Sequence, residues 1–203
     1  LKAANPDMGD HFACGGSLPG HIGNAVAVSA DGNTIVVGAP HESSAARGIN
    51  GNASDNSLYN SGAAYVFVRR GDAWMQQAYI KASNTEAGDF FGRAVSVSGD
   101  TLLVGATGEA SAATGVNGNQ SDNNAYGSGA AYVFTRNGTT WSQQAYLKPQ
   151  PFTGFAAIQS FGVSVALSGG RAVIGASQDA SGAWGVNGVQ EGSNLEASGA
   201  AYV

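Results

Sequence analysis

The sequence Gly-Ala-Ala-Tyr-Val-Phe at residues 62–67 decides the fold, because it returns twice further along the chain. It recurs in full at 129–134, and its first five residues recur at 199–203. Nearly the same offsets relate three apolar segments that end in Gly-Ala, at 35–39, 102–106 and 172–176. Recurrence in a nearly constant register is typical of repeat proteins, so the chain contains three related units.

Each unit contains four short segments rich in Val and aromatic residues and bounded by Gly, Asn, Asp or Ser, which is typical of β-strands. In the second unit we predict strands at about 93–98, 101–106, 130–136 and 141–148. Tight hairpin turns join them at Gly99-Asp100 and Asn137-Gly138. Four antiparallel strands per repeat predict an all-β fold, a β-propeller of four-stranded antiparallel blades. The alternative is a solenoid, but solenoid repeats of this length are mostly helical and the sequence has no helical periodicity.

We expect one propeller segment over residues 1–203, with repeats at approximately 1–80, 81–147 and 148–203, the last of them truncated. Three blades are fewer than the ~4 to 8 that close a ring. The repeat count therefore predicts further blades in the intact protein, or the association of several chains.

Composition excludes several classes of partner. Charged residues make up 11% of the chain, the formal net charge is −5, and the nine Lys and Arg residues are scattered, so nucleic acid is not expected to bind. The apolar runs are only a few residues long, so we expect no membrane insertion of this segment. The single cysteine, Cys14, forbids an intramolecular disulfide.

A known repeat family shares the motif residues. Phe91-Gly92 opens the first strand of the second unit, Gly105-Ala106 closes the second strand, and residues 129–134 form the third. The third unit has Phe161-Gly162 at the same place, whereas the first unit has Ile22-Gly23. The pattern resembles the FG-GAP repeat of integrin α chains and of many secreted bacterial proteins, over nearly the whole chain.

The resemblance implies a seven-bladed propeller in the intact protein, located outside the cell or on its surface, whose loops bind partner molecules. Calcium in that family lies in the hairpin between strands one and two, within an acidic loop. Here these hairpins hold one acid, Asp31 or Asp100, or none, which is too few oxygen ligands for such a site. The family's own calcium site is therefore not expected in this chain.

The long connections between strands two and three, at 40–61, 107–128 and 177–198, carry a recurring set of oxygen-bearing side chains. Such oxygens are the ligands that Ca²⁺ prefers, so calcium is a candidate cofactor. The alternative is that Asn and Asp make side-chain to backbone turns without metal. The candidate ligands are Glu42, Asn50, Asn52 and Asp55 in the first loop, Glu109, Asn117, Asn119 and Asp122 in the second, and Asp89 before Phe91-Gly92.

Three weaker candidate sites remain. The loops of the first unit contain four possible ligands of zinc or copper, which are His11, Cys14, His21 and His41. The alternative is an accidental cluster of polar loop residues. Trp184 lies in the third long loop where the first loop has Arg47, and residues at such a variable position are candidates for ligand recognition. Asn52, Asn119 and Asn137 begin glycosylation sequons.

Catalytic motifs are missing from the sequence: it has no Gly-x-Ser-x-Gly elbow, phosphate loop or His-Glu-x-x-His, so we expect no enzyme activity. The main hypothesis is an extracellular binding or adhesion module that presents its long loops to a protein or carbohydrate. One alternative is an architectural subunit of a surface layer, sheath or filament, in which copies of the chain bind one another. The other is a non-catalytic domain of a larger secreted enzyme.

Overall fold

A computed structural model of the protein describes residues 1–14, 24–149, 159–182, 185–188 and 197–203. This part of the chain is all-β and contains no helix. The strands are β1 (Val26–Val28), β2 (Thr34–Ala39), β3 (Ala63–Arg70), β4 (Ala73–Ile80), β5 (Phe91–Ser98), β6 (Thr101–Ala106), β7 (Gly115–Val116), β8 (Ala130–Asn137), β9 (Thr140–Lys148), β10 (Phe161–Ser168), β11 (Arg171–Ala176) and β12 (Ala200–Tyr202).

These strands form three antiparallel sheets, one from each repeat. The first sheet has the order β1-β2-β3-β4, the second β5-β6-β8-β9-β7 and the third β10-β11-β12. Short hairpins join neighbouring strands, and the β5–β6 and β8–β9 turns place Gly99 and Gly138 at positive φ, 56° and 63°. Glycine adopts this conformation without steric cost, which is why these turns form where the sequence has Gly. The architecture confirms the predicted fold, a partial β-propeller of antiparallel sheets.

Neighbouring sheets meet through glycines that leave room for the backbone of the next sheet. A Cβ atom added at Gly38 would lie 1.9 Å from the Gly92 carbonyl oxygen, and one added at Gly105 would lie 1.9 Å from that of Gly162. Parallel bridges join Gly62 to Phe91 and Gly129 to Phe161 at the same two junctions. The Phe-Gly pair of each sheet therefore packs against the glycines of the sheet before it.

Aromatic rings fill the core of each sheet. The Phe91 ring packs edge-on against Tyr132 and Phe134, with ring centroids 5.3 and 6.0 Å away. All three side chains are fully buried, and each stabilises the fold by about 1.5–3 kcal/mol through removal of apolar surface from water.

In the first sheet the residue equivalent to Phe91 is Phe12. The alignment of Ile22-Gly23 with the Phe-Gly pairs of the other units is therefore corrected. The Phe12 ring packs edge-on against Tyr65 and Phe67, at 5.5 and 6.2 Å. The next residue, Ala13, has a φ of 66°, the left-handed region that Gly92 and Gly162 occupy with a φ of 90°. Ile22 and Gly23 lie outside the described residues. The first repeat thus has Phe-Ala where the others have Phe-Gly.

Candidate functional site

The long loops are built around a buried ion pair. In the first sheet the Lys81 ammonium donates hydrogen bonds of 2.7 Å to Oε2 of Glu42 and to Oγ of Ser61. Both members of the pair are essentially inaccessible to solvent. Burial lowers the pKa of Lys81, and the Glu42 carboxylate opposes that shift. The pair connects the start of the loop to the end of the fourth strand.

The second sheet has the same arrangement. Lys148 donates hydrogen bonds of 2.6 Å to Oε2 of Glu109 and to Oγ of Ser128. In both sheets a tyrosine of the fourth strand, Tyr79 or Tyr146, shares a hydrogen bond with a loop serine. Glu42 and Glu109, two of the predicted calcium ligands, are therefore counter-ions of buried lysines.

The amides among the predicted calcium ligands bind backbone groups. Oδ1 of Asn50 accepts a hydrogen bond from the Tyr79 amide, and Oδ1 of Asn117 accepts one from the Tyr146 amide, each at 2.9 Å. These contacts hold the loop against the fourth strand, and in the second sheet the loop continues there as β7. The two amides therefore fasten the loop to the sheet.

The remaining candidate ligands in the loops make turns. Each accepts a hydrogen bond from the amide two residues ahead, as Asx-turns do. The donors to Asn52, Asp55, Asn119 and Asp122 are the amides of Ser54, Ser57, Ser121 and Asn124. Within the described residues, no group of three or more His, Cys, Asp or Glu side chains is placed to hold a metal ion. These contacts are those of the metal-free alternative, and calcium binding stays a prediction.

Asp89 is the acid with the largest electrostatic perturbation among the described carboxylates. Its pKa is raised to about 7, mainly by burial and also by the nearby Glu109 and Glu86 carboxylates. A hydrogen bond of 2.8 Å from the Glu86 amide to Oδ2 has the opposite effect but does not cancel the shift. Asp89 therefore titrates near neutral pH.

The most distinctive surface feature is a cleft of about 660 Å³ on the first sheet, which we call the histidine cleft. The His11 and His41 rings lie side by side in it, with centroids 4.4 Å apart. Nδ1 of His41 lies 2.8 Å from Oδ1 of Asn60. The lining of the cleft includes Asp7, Asp10, His11, His41, Asn56 and Tyr59.

Burial sets the charge states within the histidine cleft. It lowers the pKa of His41, whose imidazole is therefore neutral at neutral pH, although the hydrogen bond to Asn60 opposes this shift. Burial also raises the pKa of Asp10. Among the described residues, Nδ1 of His11 is buried without a hydrogen-bond partner. The cleft thus presents two neighbouring imidazole rings and the exposed Asp7 carboxylate.

The other repeats do not reproduce the histidine cleft. The residues equivalent to His11 are Phe90 and Ser160, and those equivalent to His41 are Gly108 and Gln178. In the second sheet the Phe90 ring lies beside Gly108, where the first sheet has the two imidazoles. The two imidazoles are therefore particular to the first repeat, whereas Asp10, Asn56 and Tyr59 of the cleft have the counterparts Asp89, Asn123 and Tyr126 in the second repeat.

The other predicted site residues are not assembled into one site by the described part of the chain. Cys14 is exposed beyond Phe12, and its amide donates a hydrogen bond of 2.9 Å to the His11 carbonyl. Arg47 is exposed, as are the sequon residues Asn52, Asn119 and Asn137. His21 and Trp184 lie outside the described residues. Of the predicted zinc or copper set, the structure therefore brings together His11 and His41.

Comparison with known proteins identifies the repeat. Residues 74–134, from β4 to β8, match the family model described as FG-GAP repeat. No curated protein matches the chain. In the described residues, no helix is long and apolar enough to cross a membrane. The match and the three antiparallel sheets together fit an FG-GAP β-propeller-like repeat protein.

Proposed function

We propose that this FG-GAP repeat chain is a non-catalytic binding module that works outside the cell and takes its ligand in the histidine cleft. The observation that carries the proposal is the pair of adjacent imidazoles in the first sheet. The Phe-Gly contacts, the core aromatics and the lysine–glutamate pair recur between repeats, whereas His11 and His41 have no counterparts. Packing accounts for the recurring residues, and His41 also packs edge-on against the Phe90 ring, with ring centroids 5.4 Å apart.

The chemistry of the histidine cleft favours a carbohydrate ligand. Asp7 offers an exposed carboxylate and Asn56 an exposed amide, which are common partners of sugar hydroxyl groups. The Tyr59 ring is 75% exposed at the rim, so an apolar sugar face can stack on it. A small number of placed polar groups beside an exposed aromatic ring is a usual arrangement for a small-ligand site.

A glycan array probed with the labelled protein tests the proposal. We expect saturable binding to a defined set of glycans, weakened at least ~10-fold by Tyr59→Ala or by His41→Gln, because each removes a side chain that contacts the ligand. Tyr126→Ala is the matched control, since Tyr126 is the equivalent tyrosine of the second sheet and is 76% exposed, but no histidine pair lies beside it. Binding to no glycan, or equal loss in the control variant, would contradict the proposal.

A further inference from the structure

Arg93 is a buried cation for which the described part of the chain contains no paired carboxylate. Arg93 is 7% exposed, and its Nε is buried without a hydrogen-bond partner. Two other buried cations, Lys81 and Lys148, each contact a glutamate, at 2.7 and 2.6 Å, whereas no described carboxylate forms a salt bridge with Arg93. Burying a charge without a partner is unfavourable, so this position favours an anion.

The buried acids nearest to Arg93 in the sequence and in the fold interact with a different cation. Burial is the main cause that raises the pKa of Asp89 and of Asp10, and the cation that opposes it in both cases is Lys81. Burial lowers the pKa of Arg93, and the group that opposes this shift is Cys14. A guanidinium nevertheless stays protonated in proteins, so Arg93 remains a cation.

Arg93 lies at the junction of the first and second sheets, beside the histidine cleft. Its amide donates a hydrogen bond of 3.2 Å to the Phe90 carbonyl, and the Phe90 ring packs against His41, with ring centroids 5.4 Å apart. Burial is the main cause that lowers the pKa of His41, and the charges of His11 and Arg93 contribute to the same shift. The guanidinium therefore lies close to the two imidazoles.

The guanidinium and the imidazoles are suited to an oxyanion. Arginine binds phosphate, sulfate and carboxylate groups through parallel, charge-assisted hydrogen bonds. Nδ1 of His11 is buried without a hydrogen-bond partner among the described residues, and an imidazole nitrogen that carries a proton is a further donor. The carboxylates of Asp7 and Asp10 line the same cleft and disfavour a polyanion, so the expected ligand is small.

We propose that Arg93 binds a small oxyanion, a phosphate, sulfate or carboxylate group, beside His41 at the junction of the first two sheets. The proposal does not depend on a carbohydrate ligand in the histidine cleft. A glycan array in which nothing binds leaves the oxyanion site standing, and failure of the oxyanion site leaves the carbohydrate proposal standing.

Isothermal titration calorimetry of the unmodified protein tests the site. The probes are inorganic phosphate, sulfate and acetate, each added in a chloride buffer of equal ionic strength, and they separate tetrahedral anions from carboxylates. We expect saturable binding of at least one probe with a Kd of about 1 mM or below, because the guanidinium gains a counter-ion. No saturable binding of any probe up to about 10 mM would overturn the proposal.

A substitution at Arg93 locates the contact. The third repeat has Val163 at the equivalent position, after Phe161-Gly162, so Arg93→Val removes the cation with a residue that the repeat accommodates. We expect Arg93→Val to bind the anion at least ~10-fold more weakly than the parent.

Arg171→Val is the matched control, since it removes the same charge from an exposed arginine of β11 in the third sheet. Undiminished binding by Arg93→Val, or an equal loss in Arg171→Val, would overturn the proposal. If Arg93→Val fails to fold, the titration of the unmodified protein still decides.

Discussion

At the scale of single residues, several ionisable side chains are buried where the loops meet the sheets, among them Glu42, Lys81, Asp89, Glu109 and Lys148. Lys81 and Glu42 neutralise each other, as do Lys148 and Glu109, whereas Asp89 has no comparable cation. The sequence contains a signal for the pairs, because each lysine follows its glutamate at the same spacing in both repeats. From residue types alone the two glutamates were predicted to be calcium ligands, because the sequence does not show that a lysine ammonium lies beside each of them.

Asp89 makes stability depend on pH. Its folded pKa of about 7 lies above the ordinary value of 3.8, so its favourable contribution is complete below pH 3.8 and is lost as the pH rises through about 7. The Asp89→Asn variant should therefore become more stable relative to the parent as the pH rises. The difference between their free energies of unfolding should grow by roughly 2 kcal/mol from pH 5 to pH 8. Denaturant titrations at both pH values measure this difference. A constant difference would contradict the account, and Asp72→Asn, exposed to solvent, is the control.

Removing one member of a buried ion pair should lower the free energy of unfolding more than removing both members. Lys81→Met leaves the Glu42 carboxylate buried without a cation, so we expect a loss of about 3–5 kcal/mol in the free energy of unfolding. Adding Glu42→Gln should restore a large part of that loss. A double-mutant cycle by urea denaturation measures the coupling, and additive effects of the two substitutions would show that the pair is not coupled.

At the scale of strands and loops, the sequence predicts much of the second repeat. The predicted segment 101–106 coincides with β6, and the segments at 130–136 and 141–148 differ from β8 and β9 by one residue. Alternating apolar residues and Gly-containing turns determine these boundaries locally. Strand β7 was not predicted, because Gly115 and Val116 pair with Lys148 and Leu147, which are distant in the sequence.

The place of Phe12 was missed for a related reason. Phe12 and Phe91 are equivalent residues of the first and second repeats, and so are Gly62 and Gly129. More residues separate the first pair than the second. Residues inserted after Phe12 shift the register, so a comparison at constant offset does not find it. Its contacts with Tyr65 and Phe67 identify it in the folded chain.

The glycines at the junctions between sheets predict how strongly neighbouring sheets depend on close backbone packing. Gly105→Ala places a Cβ atom 1.9 Å from the Gly162 carbonyl oxygen, so the second and third sheets must separate. We expect the free energy of unfolding to fall by at least about 2 kcal/mol, as it does when a core is overpacked. Gly175→Ala is the matched control in the third sheet, because its Cβ would clash only with the exposed Ser164 hydroxyl, which can rotate away. Similar unfolding curves for the two variants would contradict the proposed junction.

The loops give a prediction about metal. Glu42 and Glu109 already bind lysines, and Asn52 and Asp55 already cap turns, so we expect EDTA to leave the melting temperature unchanged. Differential scanning calorimetry with EDTA and with added Ca²⁺ measures this. A melting temperature that falls by several degrees in EDTA and recovers with Ca²⁺ would support the calcium prediction instead.

At the scale of the whole molecule, three sheets of similar sequence pack in succession, and each presents different loops. Neighbouring sheets meet through close backbone contacts at the junction glycines and through buried side chains that form shared cores, so glycine is required at the junctions. Loop side chains outside these contacts differ between repeats, and the first sheet carries the histidine cleft. Light scattering distinguishes the two main roles, since a soluble monomer favours ligand recognition and spontaneous polymers favour an architectural subunit.

The central claim is that each repeat makes its own sheet and that successive sheets meet at the Phe-Gly pairs. Nuclear Overhauser spectra of the isotope-labelled protein test it directly. We predict cross-peaks between the α-protons of Gly62 and the amide proton of Phe91, and between those of Gly129 and the amide proton of Phe161. Absence of both sets of cross-peaks in an assigned spectrum, with helical contacts within the repeats, would contradict the account.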